Sequence, residues 1–202
     1  MKIPGTDVEY NPTVESGLYP VTELKPEIVT DLKAAAKHLA FIAARRAYPN
    51  RRLVVRDMTA QDLEVTNIEW ADTTGGVANV WEDHQVAAAE IDDGKFIAIF
   101  GCRMMEMQIP DEMPITALKF LVGGSEVARW DLYKAFGATG DGVTLASLVG
   151  GFLPIACLTD APIVISEGIS ITIQQWVATL ATSFVLALEG VVCELEGLTL
   201  KP

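Results

Sequence analysis

The sequence predicts a mainly β chain, an antiparallel β-sandwich of jelly-roll type with an N-terminal arm and one α-helix. Three observations support this. A sustained helical period occurs once, near the N-terminus. About eight short strand candidates follow it, with connections too short for repeated crossover helices. The last third either alternates with period two or runs apolar on both faces, as sheet residues do. The 202 residues, 50% hydrophobic, are enough for one domain with a real core. It divides into an arm over 1-25, a helix over 26-48 and a sandwich over 49-202.

The arm carries Pro4, Pro12, Pro20, Gly5 and Gly17 without an apolar period, so it reads as extended or irregular. From Pro26, a favourable first helical residue, Ile28, Leu32, Ala36, Leu39 and Ile42 recur at spacings of four and three. Arg45 and Arg46 complement the negative end of this helix, and Pro49-Asn50 stops it. Leu53 to Val55 is a strand candidate, Thr59 to Asp62 a helix-start signal, and Glu64 to Trp70 a further strand before the Gly75-Gly76 break. Val77 to Ile91 stays open: Ala87 to Ala89 suit a helix, whereas Val77, Val80 and Trp81 suit a strand.

Asp92-Asp93-Gly94 offers a turn into a long apolar strand, Lys95 to Ile109, whose Met104, Met105 and Met107 fill a core or an interface. Past the loop bracketed by Pro110 and Pro114, Ile115 to Val122 and Glu126 to Tyr133 flank Gly123-Gly124, the composition of a tight hairpin. Gly137, Gly140 and Gly142 mark another loop. Val143 to Leu158, broken at Gly150-Gly151 and Pro154, reads as two short strands. Pro162 to Ile165, Ile169 to Ala178 and Phe184 to Glu194 complete the series.

Charge is unevenly spread. The chain carries a net charge of -12, so non-specific nucleic-acid binding is disfavoured. After Asp141 the only charges are Asp160, Glu167, Glu189, Glu194, Glu196 and Lys201. The uncharged stretch from Gly168 to Leu188 is long enough for a membrane helix. Against that, Ile169, Ile171 and Ile173 alternate with Ser170, Thr172 and Gln174, which indicates a strand. The run from Phe184 to Cys193 is apolar on both faces, so its outer face needs a cover: the N-terminal helix or a neighbouring subunit. Oligomerisation through Phe184 and Leu186 is the expectation. Cys102, Cys157 and Cys193, odd in number and in apolar runs, read as buried thiols made in a reducing interior, and the first twenty residues hold no signal-peptide core.

Motifs for chemistry are sparse. Neither His38 nor His84 has metal-ligand spacing, and no cofactor motif accompanies the 16 glycines. Glu82-Asp83-His84 could in principle form a ligand set or a base with its orienting acid; as consecutive residues they point apart, and they read as a solvated charged turn. The carboxylate pairs Asp92-Asp93 and Asp111-Glu112 read as exposed loops. Arg45, Arg46, Arg51 and Arg52 form the one basic group, able to meet phosphates or an acidic partner but also explained by helix termination. Trp70, Trp81, Trp130 and Trp176 are scattered as buried anchors would be, without an evident stacking platform. An aromatic share of 7% argues against a carbohydrate-binding module.

The segment Ile115 to Tyr133, and the succession Pro162 to Ile165, Ile169 to Ile173, Phe184 to Val192, resemble hairpin and late barrel strands of small jelly-roll virion proteins of bacterial and archaeal viruses. This resemblance covers about half the chain and excludes the arm and helix. It implies a non-enzymatic capsid or capsid-associated subunit, made in the host cytoplasm and located in the virion. Such a subunit self-assembles with copies of itself and other virion proteins through apolar and strand-edge contacts, with no catalytic, metal or cofactor residues and no small-molecule substrate. A collar, decoration or fibre-base component, or a ligand-binding β-sandwich module, is the alternative.

Overall fold

Gly123 and Gly124 both take positive φ, 58° and 80°, and turn the chain between two antiparallel strands, β6 (Ile115–Val122) and β7 (Ser125–Asp131). The computed structural model describes residues 18–20, 26–67, 69–70, 77–107, 115–132, 156–178 and 184–197. The remaining described elements are β1 (Leu18–Pro20), α1 (Pro26–Ala47), β2 (Leu53–Asp57), a 3-10 turn (Ala60–Leu63), β3 (Val80–Asp83), β4 (Ala89–Glu90), β5 (Lys95–Met107), β8 (Ala156–Ile165), β9 (Ser170–Val177) and β10 (Phe184–Leu195).

The strands form a mainly β, two-sheet antiparallel sandwich. The first sheet runs β1-β8-β5-β10-β2; the second runs β3-β9-β6-β7, with β4 also pairing β9. Between them lies a core of Ile97, Ile99, Leu118, Phe120, Trp130, Ile171, Ile173, Leu186, Leu188 and Val192. The period-two reading of β9 holds: Ile171, Ile173, Gln175 and Val177 point inward, and Ser170, Thr172, Gln174 and Trp176 are partly exposed. Gly168 to Leu188 thus contributes to two strands, and among the described residues no helix is long and apolar enough to cross a membrane.

The second core lies on the outer side of the first sheet. There α1 sets Leu32, Ala36, Ala40 and Ala44 against Phe96, Ala98, Phe100, Leu158, Val191 and Cys193. Leu39, expected in the buried stripe, is 37% exposed. The stripe is rotated because the sheet supplies the bulky side chains and the helix supplies small ones, which lets the two backbones approach closely. Over Val191 and Cys193, the cover that β10 requires is therefore this chain's own helix. Val191 and Cys193 face α1 while Leu186, Leu188 and Val192 face the second sheet.

Local expectations fare unevenly. Thr59 to Asp62 does start a helix, but only one 3-10 turn: Asp62 accepts the Thr59 N–H at 2.8 Å, and Glu64 ends the turn at a left-handed φ of 58°. Glu64 to Trp70 is not a strand; its described residues form turns and bends. Val77 to Ile91 holds strands β3 and β4 and no helix. Pro162 lies within β8, not before a separate strand. Ile163 pairs Ile99 and Leu158 pairs Gly101, so Pro162 falls in the irregular stretch between, where its missing N–H breaks no ladder bond. The arm apart from β1, the Gly75-Gly76 break, the Asp111-Glu112 pair, the Gly137–Gly142 loop, the two strands expected over Val143 to Leu158 except the last three residues, which open β8, and the side chains of Met104, Met105, Met107, Cys157 and Phe184 lie outside the described residues.

Candidate functional site

The four arginines separate in role. Arg45 donates from Nη1 to the carbonyls of Pro49 (2.9 Å) and Arg51 (3.0 Å), and its guanidinium stands 5.1 Å from the Phe41 ring centroid. It caps the helix end and shapes the turn after it. Arg46, Arg51 and Arg52 are exposed, and Arg52 pairs with Glu196 at 3.3 Å. Leu186 is fully buried between the sheets, so this residue packs the core of its own chain and is no partner contact.

Among the described residues of the C-terminal third, the glutamates act as ties. Glu167 accepts from the Tyr48 hydroxyl (2.6 Å) and the Gly94 N–H (2.5 Å); Glu189 pairs with Arg103. Glu194 belongs to a partly buried hub at one end of the sandwich. Arg56 on β2 donates from Nη1 and Nη2 to both Asp62 oxygens (2.7 and 2.6 Å), and from Nε and Nη2 to both Glu194 oxygens (3.0 Å each). Lys95 reaches Asp62 at 3.5 Å and Asp92 at 2.8 Å. Burial pushes the Asp62 carboxyl upward, but hydrogen bonds from Arg56 and Thr59 outweigh it and hold the group below the usual carboxylate range. The Arg56 pKa is raised, chiefly by its bonds to Asp62. All five Arg56 N–H groups and both Asp62 oxygens are engaged, one of the five bonds going to the Asp57 carbonyl, an arrangement suited to fastening β2, β5, β10 and the 3-10 turn.

The Glu82-Asp83-His84 run is not a solvated turn. His84 is 3% exposed, its ring 5.7 Å from that of Trp70, and burial lowers its pKa to about 4. Glu82 accepts the Val77 N–H and Asp83 accepts from Gln174, so the three side chains do not converge. Burial also pushes both described thiols upward, Cys193 to about 11, which keeps them protonated at neutral pH.

One surface was missed in sequence. On the outer face of the second sheet, direct cross-strand registers place Asp83, Gln174, Lys119 and Arg129 abreast on four neighbouring strands, and Trp81, Trp176, Ala117 and Asp131 abreast in the adjacent row. Trp81 and Trp176 meet edge to face at 5.6 Å, both partly exposed. Lys119 Nζ and the Arg129 guanidinium lie 4.6 and 5.5 Å from the Trp81 ring centroid. Trp130 is buried and Trp70 packs on the core, so two tryptophans are anchors and two form a surface pair. Only the period-two alternation of residues 170–177 signalled Trp176 as outward-facing.

No family model matches the chain, and no match exists among curated proteins or solved structures.

Proposed function

We propose that this chain is a non-enzymatic structural subunit of a virion, built as a jelly roll and assembling with copies of itself and with other virion proteins. The observation that carries this reading is the nesting of the strand pairs. Leaving aside the short β1 and β4, the eight strands in chain order are β2, β3, β5, β6, β7, β8, β9 and β10. The first pairs the last (β2·β10), the second the seventh (β3·β9), the third the sixth (β5·β8), and the fourth the fifth (β6·β7). A long antiparallel ribbon rolled upon itself has this pattern, and it is the architecture of many shell subunits.

With α1 seated on the first sheet, assembly uses strand edges. β2 and β7 end their sheets, each carrying an exposed valine: Val54 (42%) and Val127 (53%). Val127 sits at the register shift between Phe120 and Leu121, a bulge that restrains indiscriminate pairing there. The test is mass photometry and negative-stain microscopy of the purified full chain. Defined large oligomers or closed particles are expected, broken up in a Val54→Lys/Val127→Lys double variant with an unchanged melting temperature. A chain that stays monomeric at every concentration overturns the proposal.

A further inference from the structure

We infer that the outer face of the second sheet is a binding site for a neutral oligosaccharide, whether or not the chain assembles. A sugar ring has two chemical faces to satisfy: axial C–H groups that pack on an aromatic ring, and hydroxyls that each both donate and accept. The Trp81–Trp176 pair answers the first. The row from Asp83 to Arg129 answers the second, offering in sequence a carboxylate, an amide, an ammonium and a guanidinium. Adjacent strands lie about 4.8 Å apart, close to the length of one pyranose ring. A linear oligosaccharide crossing the strands therefore meets one polar side chain per sugar.

Ala117 stands between Trp176 and Asp131 in the same row, and its small side chain leaves a step beside the indole. The aromatic wall is held in position in advance: Lys119 and Arg129 lie near the Trp81 ring, Glu126 holds Arg129 at 3.0 Å, and Asp83 holds Gln174 at 3.0 Å. Such preorganisation lowers the ordering cost of binding on an open surface.

Charge selects among ligand classes. The two rows carry two acids, Asp83 and Asp131, and two bases, Lys119 and Arg129, so the face itself is balanced. The chain at -12 repels a polyanion, which removes the pull that a single-stranded nucleic acid would need. Packing does not require the tryptophans here, since α1 packs on the first sheet and Trp130 and Trp70 serve the interior.

The test titrates the full chain with cellohexaose, laminarihexaose, mannohexaose and chitohexaose, and separately with a 20-mer of oligo(dT). Tryptophan fluorescence and saturation-transfer NMR are the readouts. Saturable binding of at least one neutral hexasaccharide is expected, with oligo(dT) inert. Trp176→Ala weakens it about tenfold and Gln174→Ala about threefold to tenfold, the scale of one lost aromatic contact and one lost neutral hydrogen bond. Gln174→Ala, at a partly exposed position, keeps the wild-type melting temperature, which separates lost recognition from lost folding. Failure of all four hexasaccharides, wild-type affinity in both variants, or binding of oligo(dT) alone overturns the inference.

Discussion

His84 joins the two sheets: its Nε2–H donates to the backbone carbonyl of Leu186 at 2.9 Å, from the end of β3 in one sheet to β10 in the other. Because a carbonyl can only accept, the ring is the Nε2–H tautomer, and Nδ1 is buried without a hydrogen-bond partner among the described residues.

Burial of this ring, which outweighs the opposing effect of the bond to Leu186, makes stability depend on pH in a defined window. Burial lowers the folded pKa of His84 to about 4, below the unfolded value near 6.5. The unfolded chain therefore takes up a proton that the folded chain refuses between these values. His84's contribution is complete above about pH 6.5 and is lost as pH falls toward 4, by about 3 kcal/mol in all. Urea unfolding at pH 7.5 and pH 5 should show about 2 kcal/mol of this loss in the wild type and a much smaller one in His84→Gln. Equal losses in both proteins would refute it.

The Asp62 hub acts at lower pH. Its carboxyl pKa is depressed, so its contribution is present above the unfolded value near 3.9 and is lost as pH falls below it. Asp62→Ala removes one of the two carboxylates that hold Arg56, leaving Glu194, and should cost about 1.5 to 3 kcal/mol. Arg56→Met/Asp62→Leu should not recover it, since the nearly buried Glu194 then loses both of its bonds from Arg56. Chemical denaturation of the single and double variants gives the comparison.

Gly190 is fixed by what surrounds it. A Cβ there would lie 2.8 Å from Met58 Cε and Sδ and 3.2 Å from the Ala98 carbonyl oxygen, at the β5–β10 register shift. Gly190→Ala should destabilise by about 1 to 3 kcal/mol. Adding Met58→Ala relieves only the side-chain part of the clash, so a calorimetric cycle should show partial rescue and a residue owed to Ala98.

The arginine group should divide. Arg45→Ala removes two hydrogen bonds at the helix end and should cost about 1 kcal/mol or more. Arg46→Ala, Arg51→Ala and Arg52→Ala should each stay within about 0.5 kcal/mol. Thermal melts at one ionic strength decide it; equal shifts at all four positions contradict the division.

What the sequence made legible was local. Two adjacent glycines specify the β6–β7 turn, period two specifies β9, and Pro26 with Arg45-Arg46 brackets α1. What it hid were relationships formed only across long separations. Ile28, Leu32, Ala36, Leu39 and Ile42 trace a reasonable apolar stripe, but the sheet beneath decides which helix side fits, and it selects Ala40 and Ala44 over Leu39. Glu82-Asp83-His84 looks hydrophilic in isolation, and nothing near it reveals Leu186 above the imidazole. Trp81 and Trp176 are scattered in the chain and neighbours in the sheet, because β3 and β9 pair.

The nesting of strands sets the order in which this polypeptide can be completed during synthesis. β10 lies at the heart of the first sheet, between β5 and β2, yet among the described strands it comes last in chain order. Leu53 waits for Leu195, 195 − 53 = 142 positions later, before their pairing closes. Until then β2 and β5 both show vacant edges, and long-range closure of this kind is slow. The nascent protein is therefore exposed to misassociation at these edges until β10 emerges from the ribosome.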